Sequence, residues 1–318
     1  MRRLVLACAL GLVGLVPPAG AGAEPVEVRR DVEYGTANGK RLLLDAYLPP
    51  GARGEQRRPA VVMIHGGGWR VGNKASWRPE AERLAARGWV AFSIDYRLDE
   101  PTVFPAEVDD VRTAVRWVRA NAGEYGVDTA RIAALGDSAG GHLTAMLATL
   151  GRGRLDVDSR IRVGAAWSPP LDLTALAGSR GEGWVRPLFG CTPATCRETL
   201  AEASPVTHVD GSDAPLYLVN STEELVPLSQ AQTMAERLKA AGVDHRLDVF
   251  PGNRHGLDFR DDAWAPTLAF LEAHLAPAAG PAGGASSPPV IPVVVGVVVV
   301  ALSAAVVLRR SRSGPPPV

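Results

Sequence analysis

From residue 60 onward the chain alternates short apolar runs with longer stretches of helical periodicity. "PAVVMI", "WVAFSI", "VGAAW" and "APLYLV" are near-continuous apolar runs, as strands buried on both faces require. Between them, Pro79–Arg87, the segment beginning "FPAEVDD" and "LSQAQTMAERLKAAG" read as helices; in the second, Val108, Val111, Ala114, Val115 and Val118 form one stripe. "HRLDVF" adds a strand and Trp264–Leu275 a closing helix, while Thr174–Pro205 reads as irregular. Upstream, Val26–Leu48 alternates apolar and polar residues and is broken at Asn38-Gly39, a strong hairpin signal. The pattern predicts an α/β fold with a mostly parallel central sheet and helices on both faces. Ligands of such a sheet gather at the carboxyl ends of its strands.

The ends of the chain read differently. Residues 1–23 combine a basic start, an apolar run from Leu4 to Val16 and the small-residue ending Ala21-Gly22-Ala23, the pattern of a cleaved secretory signal peptide. Residues 24–276 hold the alternating pattern, and 277–289 are a linker rich in Pro, Ala, Gly and Ser. Val290–Leu308 carries no charge and would span about 28 Å as a helix, close to the thickness of a bilayer core. Arg309, Arg310 and Arg312 follow at once, so residues 309–318 read as a cytoplasmic tail and the preceding domain as extracellular on a single-pass anchor in the cell membrane. In that oxidising setting Cys191 and Cys196, in "GCTPATC", are expected to close a small disulfide loop.

The 318 residues are 46% hydrophobic, ample for a core of that kind. Lys plus Arg and Asp plus Glu each number 34, so no basic excess argues for nucleic acid as a partner. Two exported cysteines without a neighbouring histidine cannot make a four-ligand zinc site, and no metal or cofactor is expected. Oligomeric state is left open.

Candidate chemistry collects where predicted strands stop. Ile132–Leu135 reads as a strand and Ala139–Leu150 as a helix with Leu143, Met146, Leu147 and Leu150 on one face. Only Gly136-Asp137-Ser138 joins them, within the spacing G-x-S-x-G. Small residues at both glycine positions allow strand and helix to pack closely, and Ser138 in a strained conformation presents its hydroxyl outward. A helix-capping serine is the plainer reading of the same residue. After "VVMI" comes His65-Gly66-Gly67-Gly68-Trp69, whose backbone N–H groups, with that of Ala139, could bind an oxyanion. No Gly-Lys-Ser/Thr signature follows, which argues against a phosphate loop. Glu223 and Glu224 follow "LYLVNS", and His255 follows "DVFPG". The order serine, acid, histidine at successive strand ends is that of a nucleophile-elbow hydrolase.

"HGGGW", "DYRL", "GDSAGGHL" and "PGNRHG" together resemble the α/β-hydrolase family, in particular the carboxylesterases with an HGGG motif related to hormone-sensitive lipase and their feruloyl and acetylxylan esterase branch. The resemblance covers about Val26–Leu275. It implies an α/β-hydrolase fold, Ser138 as nucleophile, His255 as base, and Gly67, Gly68 and Ala139 as oxyanion donors, with His65 bracing the glycine loop and Asp137 and Trp69 in support. Relatives place an aspartate four residues before the proline of a Val-Pro pair; counting back from Pro227 lands on Glu223, with Glu224 as its rival. Successive side chains of extended backbone point opposite ways, so only one of the two can reach His255, and this register selects Glu223. A small-molecule ester is the implied substrate, and the absence of a long amphipathic lid argues against a true lipase. A serine peptidase of the same fold and a catalytically inactive ligand-binding relative are the competing readings.

Overall fold

The computed structural model describes residues 25–51, 56–98, 104–150, 159–176, 183, 189 and 195–277. The expected signal peptide, apolar span and basic tail lie outside the described residues, as do Cys191 and hence its expected bridge to Cys196. Among the described residues no helix is long and apolar enough to cross a membrane.

Glu27–Ala37 (β1) and Lys40–Leu48 (β2) form an antiparallel hairpin. It turns at Asn38 and Gly39, which have φ of 50° and 76°, the left-handed pair that a tight two-residue turn needs. Arg58–Ile64 (β3), Arg78–Ala86 (α1), Val90–Ile94 (β4), Ala106–Ala120 (α2), Ala122–Tyr125 (α3) and Val127–Asp137 (β5) follow. The chain continues through Ala139–Thr149 (α4), Val163–Trp167 (β6), Arg197–Glu202 (α5), Leu216–Ser221 (β7), Leu228–Ala241 (α6), His245–Phe250 (β8) and Arg260–Leu275 (α7). The eight strands make one sheet in the order β1-β2-β4-β3-β5-β6-β7-β8. β1 and β2 pair antiparallel, as do β2 and β4, and every later pairing is parallel.

The continuous apolar runs are explained by two cores, one on each face. Val62 and Ile64 of β3, Phe92 and Ile94 of β4 and Leu216 and Leu218 of β7 pack with Val111 and Val115 of α2, Leu143 and Met146 of α4 and Met234 and Leu238 of α6. Their alternating neighbours Val61, Met63, Ala91, Tyr217 and Val219 pack with Ala81 and Leu84 of α1 and Leu268 and Leu271 of α7. Burying one such leucine or valine side chain contributes about 1.5–3 kcal/mol.

Two elements are longer than the apolar pattern predicts. β5 starts at Val127 rather than Ile132, because Arg58 at the start of β3 pairs with Val127 and extends the ladder through polar residues. α7 starts at Arg260 rather than Trp264: Asp261 and Asp262 favour the positive end of the helix but carry no apolar signal. The stretch expected to be irregular contains α5.

Connections leave β3 toward β4 on one side and β5 toward β6 on the other. The crevice between the ends of β3 and β5 is therefore the point where strand order reverses. His65 follows one of these strands and Ser138 the other.

Candidate active site

Ser138 stands between β5 and α4 at φ 51° and ψ −118°, outside the conformations that side chains other than glycine's favour. Its N–H donates to Trp167 O at 2.7 Å, fixing the turn to β6. The flanking glycines are steric requirements. A Cβ on Gly136 would lie 2.3 Å from Gly140 O, and one on Gly140 would lie 2.1 Å from Ile64 O. Strand, helix and glycine loop thus touch backbone to backbone. The Ser138 hydroxyl makes no helix-capping hydrogen bond. It lies 2.9 Å from Nε2 of His255 instead.

His255 precedes a short 3₁₀ turn, Gly256–Phe259, which leads into α7. Its Nδ1 lies 2.5 Å from Oε2 of Glu224, whose side chain is fully buried. Nδ1–H donates to the carboxylate, which leaves Nε2 as the acceptor for the serine hydroxyl. The other oxygen, Oε1, accepts the Ser221 N–H at 2.7 Å.

The imidazole meets Glu224 and not the expected Glu223. Glu223 is exposed, and its backbone N–H donates to Gly252 O at 2.9 Å. β7 ends at Ser221 and residues 222–226 are a succession of bends, so extended-strand counting stops before either glutamate is reached. Only one of the pair does face the imidazole, and it is Glu224.

The glycine loop is folded tightly on itself. Gly67, Gly68 and Trp69 take φ of 117°, 61° and 59° in succession. The N–H groups of Arg70 and Val71 both donate to Gly67 O at 3.1 Å, and a Cβ on Gly67 would lie 2.0 Å from Val71 O. His65 braces this loop from beneath. Its ring stacks on Tyr96 at 4.4 Å, and Nδ1 lies 2.7 Å from Gly66 O. The Tyr96 hydroxyl donates to His65 O at 3.0 Å. Burial pushes the His65 imidazole below its ordinary pKa. Trp69 is buried, with its ring edge-on to that of His142 at 5.1 Å. Burial takes His142 down to about 4, so it is neutral near pH 7.

Asp137 is also buried and accepts the Gly66 N–H at 3.0 Å through Oδ1. Loss of solvent raises its carboxyl to about 6. Sequence reasoning missed Ser168, which follows β6 at φ 51° and whose Oγ accepts the Gly256 N–H at 2.8 Å. Its only signal is its position at a strand end in "WSPP".

Gly67, Gly68, Ser138 and His255 line one cavity of about 470 Å³, together with the exposed Arg70, Val71 and Leu225. Ala139, expected as the third oxyanion donor, is the first residue of α4. A larger cavity of about 580 Å³, bordered by Phe104, Arg112, Met146 and His208, contains neither Ser138 nor His255. Among the described residues no group of three or more His, Cys, Asp or Glu is placed to hold a metal ion.

The BD-FAE family model matches residues 44–238, which include the glycine loop and the serine elbow. The chain belongs to this family of α/β-hydrolases. Curated relatives agree with that membership. A probable carboxylic ester hydrolase of Mycobacterium tuberculosis, LipM, is 30% identical over 259 residues, covering 77% of this chain and 59% of the relative. An ethyl acetate hydrolase of Pseudomonas putida is 30% identical, covering 81% of this chain and 86% of the relative. The chain thus spans little more than half the length of LipM and most of the second relative. Among solved structures, native esterase 2 of Thermogutta terrifontis is 32% identical with a TM-score of 0.65, covering 83% of this chain and 97% of that one. The α/β-hydrolase fold of the described residues is the fold of this family.

Proposed function

We propose that this protein is a serine carboxylesterase acting on small esters. The observation that carries the reading is the continuous path from the Ser138 hydroxyl through the His255 imidazole to the buried Glu224 carboxylate, at 2.9 and 2.5 Å. His255 takes the hydroxyl proton as Ser138 attacks the ester carbonyl, and Glu224 fixes the imidazole tautomer and stabilises its cationic form. The N–H groups of Gly67, Gly68 and Ala139 receive the charge that develops on the carbonyl oxygen. His255 then protonates the departing alcohol, and water releases the acyl group from Ser138 by the reverse sequence. A cavity of about 470 Å³ suits a compact ester, and the named activities of the mycobacterial and pseudomonad relatives support an ester as substrate.

A serine-directed fluorophosphonate, followed by peptide mapping, tests the nucleophile; turnover of p-nitrophenyl esters of rising acyl length tests the chemistry. Labelling of Ser138 with turnover is the expected result. Absence of both would favour a binding protein, and cleavage of peptides but not esters would favour a peptidase.

The uncharged run Val290–Leu308 followed by three arginines, together with the export signal pattern at residues 1–23, supports a single-pass anchor with the catalytic domain outside the cell. Full-length protein should sediment with membranes through a high-salt wash, and external protease should release active enzyme. Recovery of the intact chain in soluble form would refute the anchor.

A further inference from the structure

The x position of the G-x-S-x-G turn carries a buried carboxylate. Asp137 sits under the crevice where the two catalytic loops meet, and it touches both. Its Oδ1 accepts the Gly66 N–H at 3.0 Å, at the root of the glycine loop. Its Oδ2 is packed so closely that a Cβ would come within 2.5 Å on Gly66 and within 2.8 Å on Gly256. Gly256 directly follows His255, has φ +57°, and is held from the far side by the Ser168 hydroxyl at 2.8 Å. Both loops therefore pack directly on this side chain, and the positive φ of Gly256 favours glycine there.

A backbone N–H needs only a carbonyl-type acceptor. An amide would satisfy Gly66 without the cost of desolvating a charge. A carboxylate here costs stability whenever it is ionised, because burial disfavours the charged form. The titratable groups that face it are His255 from the histidine loop and Tyr96 from the segment after β4; Glu224 lies beyond His255, on its Nδ1 side. Tyr96 stays neutral, its hydroxyl being pushed well above its ordinary pKa. The one cation that forms near Asp137 during the proposed reaction is the His255 imidazolium.

We propose that Asp137 is a positioning residue shared by both catalytic loops: ionised, it anchors the glycine loop through Gly66, seats Gly256 beside His255, and places negative charge near the imidazolium formed during turnover. The inference rests on the esterase reading above. It makes the site more active and the fold less stable when Asp137 is charged. The sign follows from the raised value. Asp137 titrates near 6 in the folded chain against an ordinary 3.8, so its cost to stability grows as pH rises through that window.

The test compares wild type, Asp137→Asn and Asp137→Ser on p-nitrophenyl butyrate from pH 5 to 9, with Tm and fluorophosphonate labelling of Ser138 measured on each. Asn keeps an acceptor for Gly66 without the charge. The expected result for D137N at pH 8 is a kcat lower on the order of tenfold, less than the about 10²–10³ that loss of an oxyanion donor costs. KM should stay within about twofold, since bound and free enzyme lose the same contact. Its Tm at pH 8 should equal or exceed that of wild type. A D137N enzyme with wild-type kcat would overturn the role. So would a fall in kcat accompanied by a fall in Tm, which would make Asp137 a packing residue only. If D137N does not fold, D137S, which keeps a small uncharged acceptor, carries the same comparison. Failure of the wild type to label or turn over would remove the esterase reading and this inference with it; labelling and turnover of the wild type with unaltered variants would remove the inference alone.

Discussion

The serine elbow and the acid loop meet on the same imidazole, yet they are built on opposite principles. At the elbow, backbone packs on backbone: Gly136, Gly140 and Ile64 approach so closely that a single methyl group would overlap, and Ser138 is held at φ 51°. Backbone held at φ 51° and ψ −118° costs about 1–3 kcal/mol, offset by the strand and helix on either side. Nothing at the elbow can shift without moving β5, α4 and the glycine loop together. The acid loop is a run of bends after β7, and it delivers its carboxylate through a glutamate side chain held by the Ser221 N–H and the imidazole. Precision there resides in one side chain and its two hydrogen bonds. The elbow demands specific residue types at fixed spacing, while the acid loop demands only that some carboxylate arrive.

That contrast can be broken or sharpened by substitution. The largest effect belongs to Ser138→Ala, which should lower kcat by about 10⁶ while leaving a residual rate of about 10³ over water from binding and the oxyanion donors. Thermal melts should stay near wild type, because the hydroxyl is not part of the packing. An active S138A protein would place the nucleophile elsewhere.

Glu224→Gln should come next, lowering kcat by about 10⁴, since the amide can present its NH2 to Nδ1 and favour the wrong imidazole tautomer. Glu223→Gln, on an exposed side chain, should change kcat by less than about twofold. Steady-state kinetics of the two variants side by side decide the assignment, and the reverse ranking would restore Glu223.

Gly140→Ala tests the backbone side of the comparison. Its methyl group meets Ile64 O at 2.1 Å, so the variant should lose about 3 kcal/mol of stability in a denaturant melt, at the upper end of overpacking costs. A neutral result would mean that the close approach of helix and glycine loop is not a constraint.

Smallest is Ser168→Ala. Removing the acceptor for the Gly256 N–H should cost about 1 kcal/mol and reduce kcat a few-fold through a less well seated His255. A loss in kcat with no change in Tm would still fit that role; a loss in Tm alone would restrict Ser168 to stability.

What could be read from the sequence follows the same division. Alternation of apolar runs with helical stripes determined a mostly parallel sheet covered on both faces, because each run had to bury two sides at once. Ser138, Gly67 and Gly68 stood out because steric demands leave few residue types at a strand-to-helix elbow or in a loop with three consecutive positive φ values, and His255 stood out by its place in the loop after β8. His65 was legible as a brace, although its stack on Tyr96 was not. The polar first turn of α7 and the polar start of β5 were not visible, since they carry no apolar period and are set by pairing and helix electrostatics. The choice between Glu223 and Glu224 belonged wholly to tertiary structure. The chain leaves the sheet at Ser221, side-chain direction in the following bends has no period to count, and the position of His255 on a distant loop decides which carboxylate it meets. The contacts of Asp137, named in support from the motif, and the place of Ser168, which the sequence did not single out, were likewise set by segments distant in sequence: Gly66 meets Asp137, and Gly256 meets Ser168.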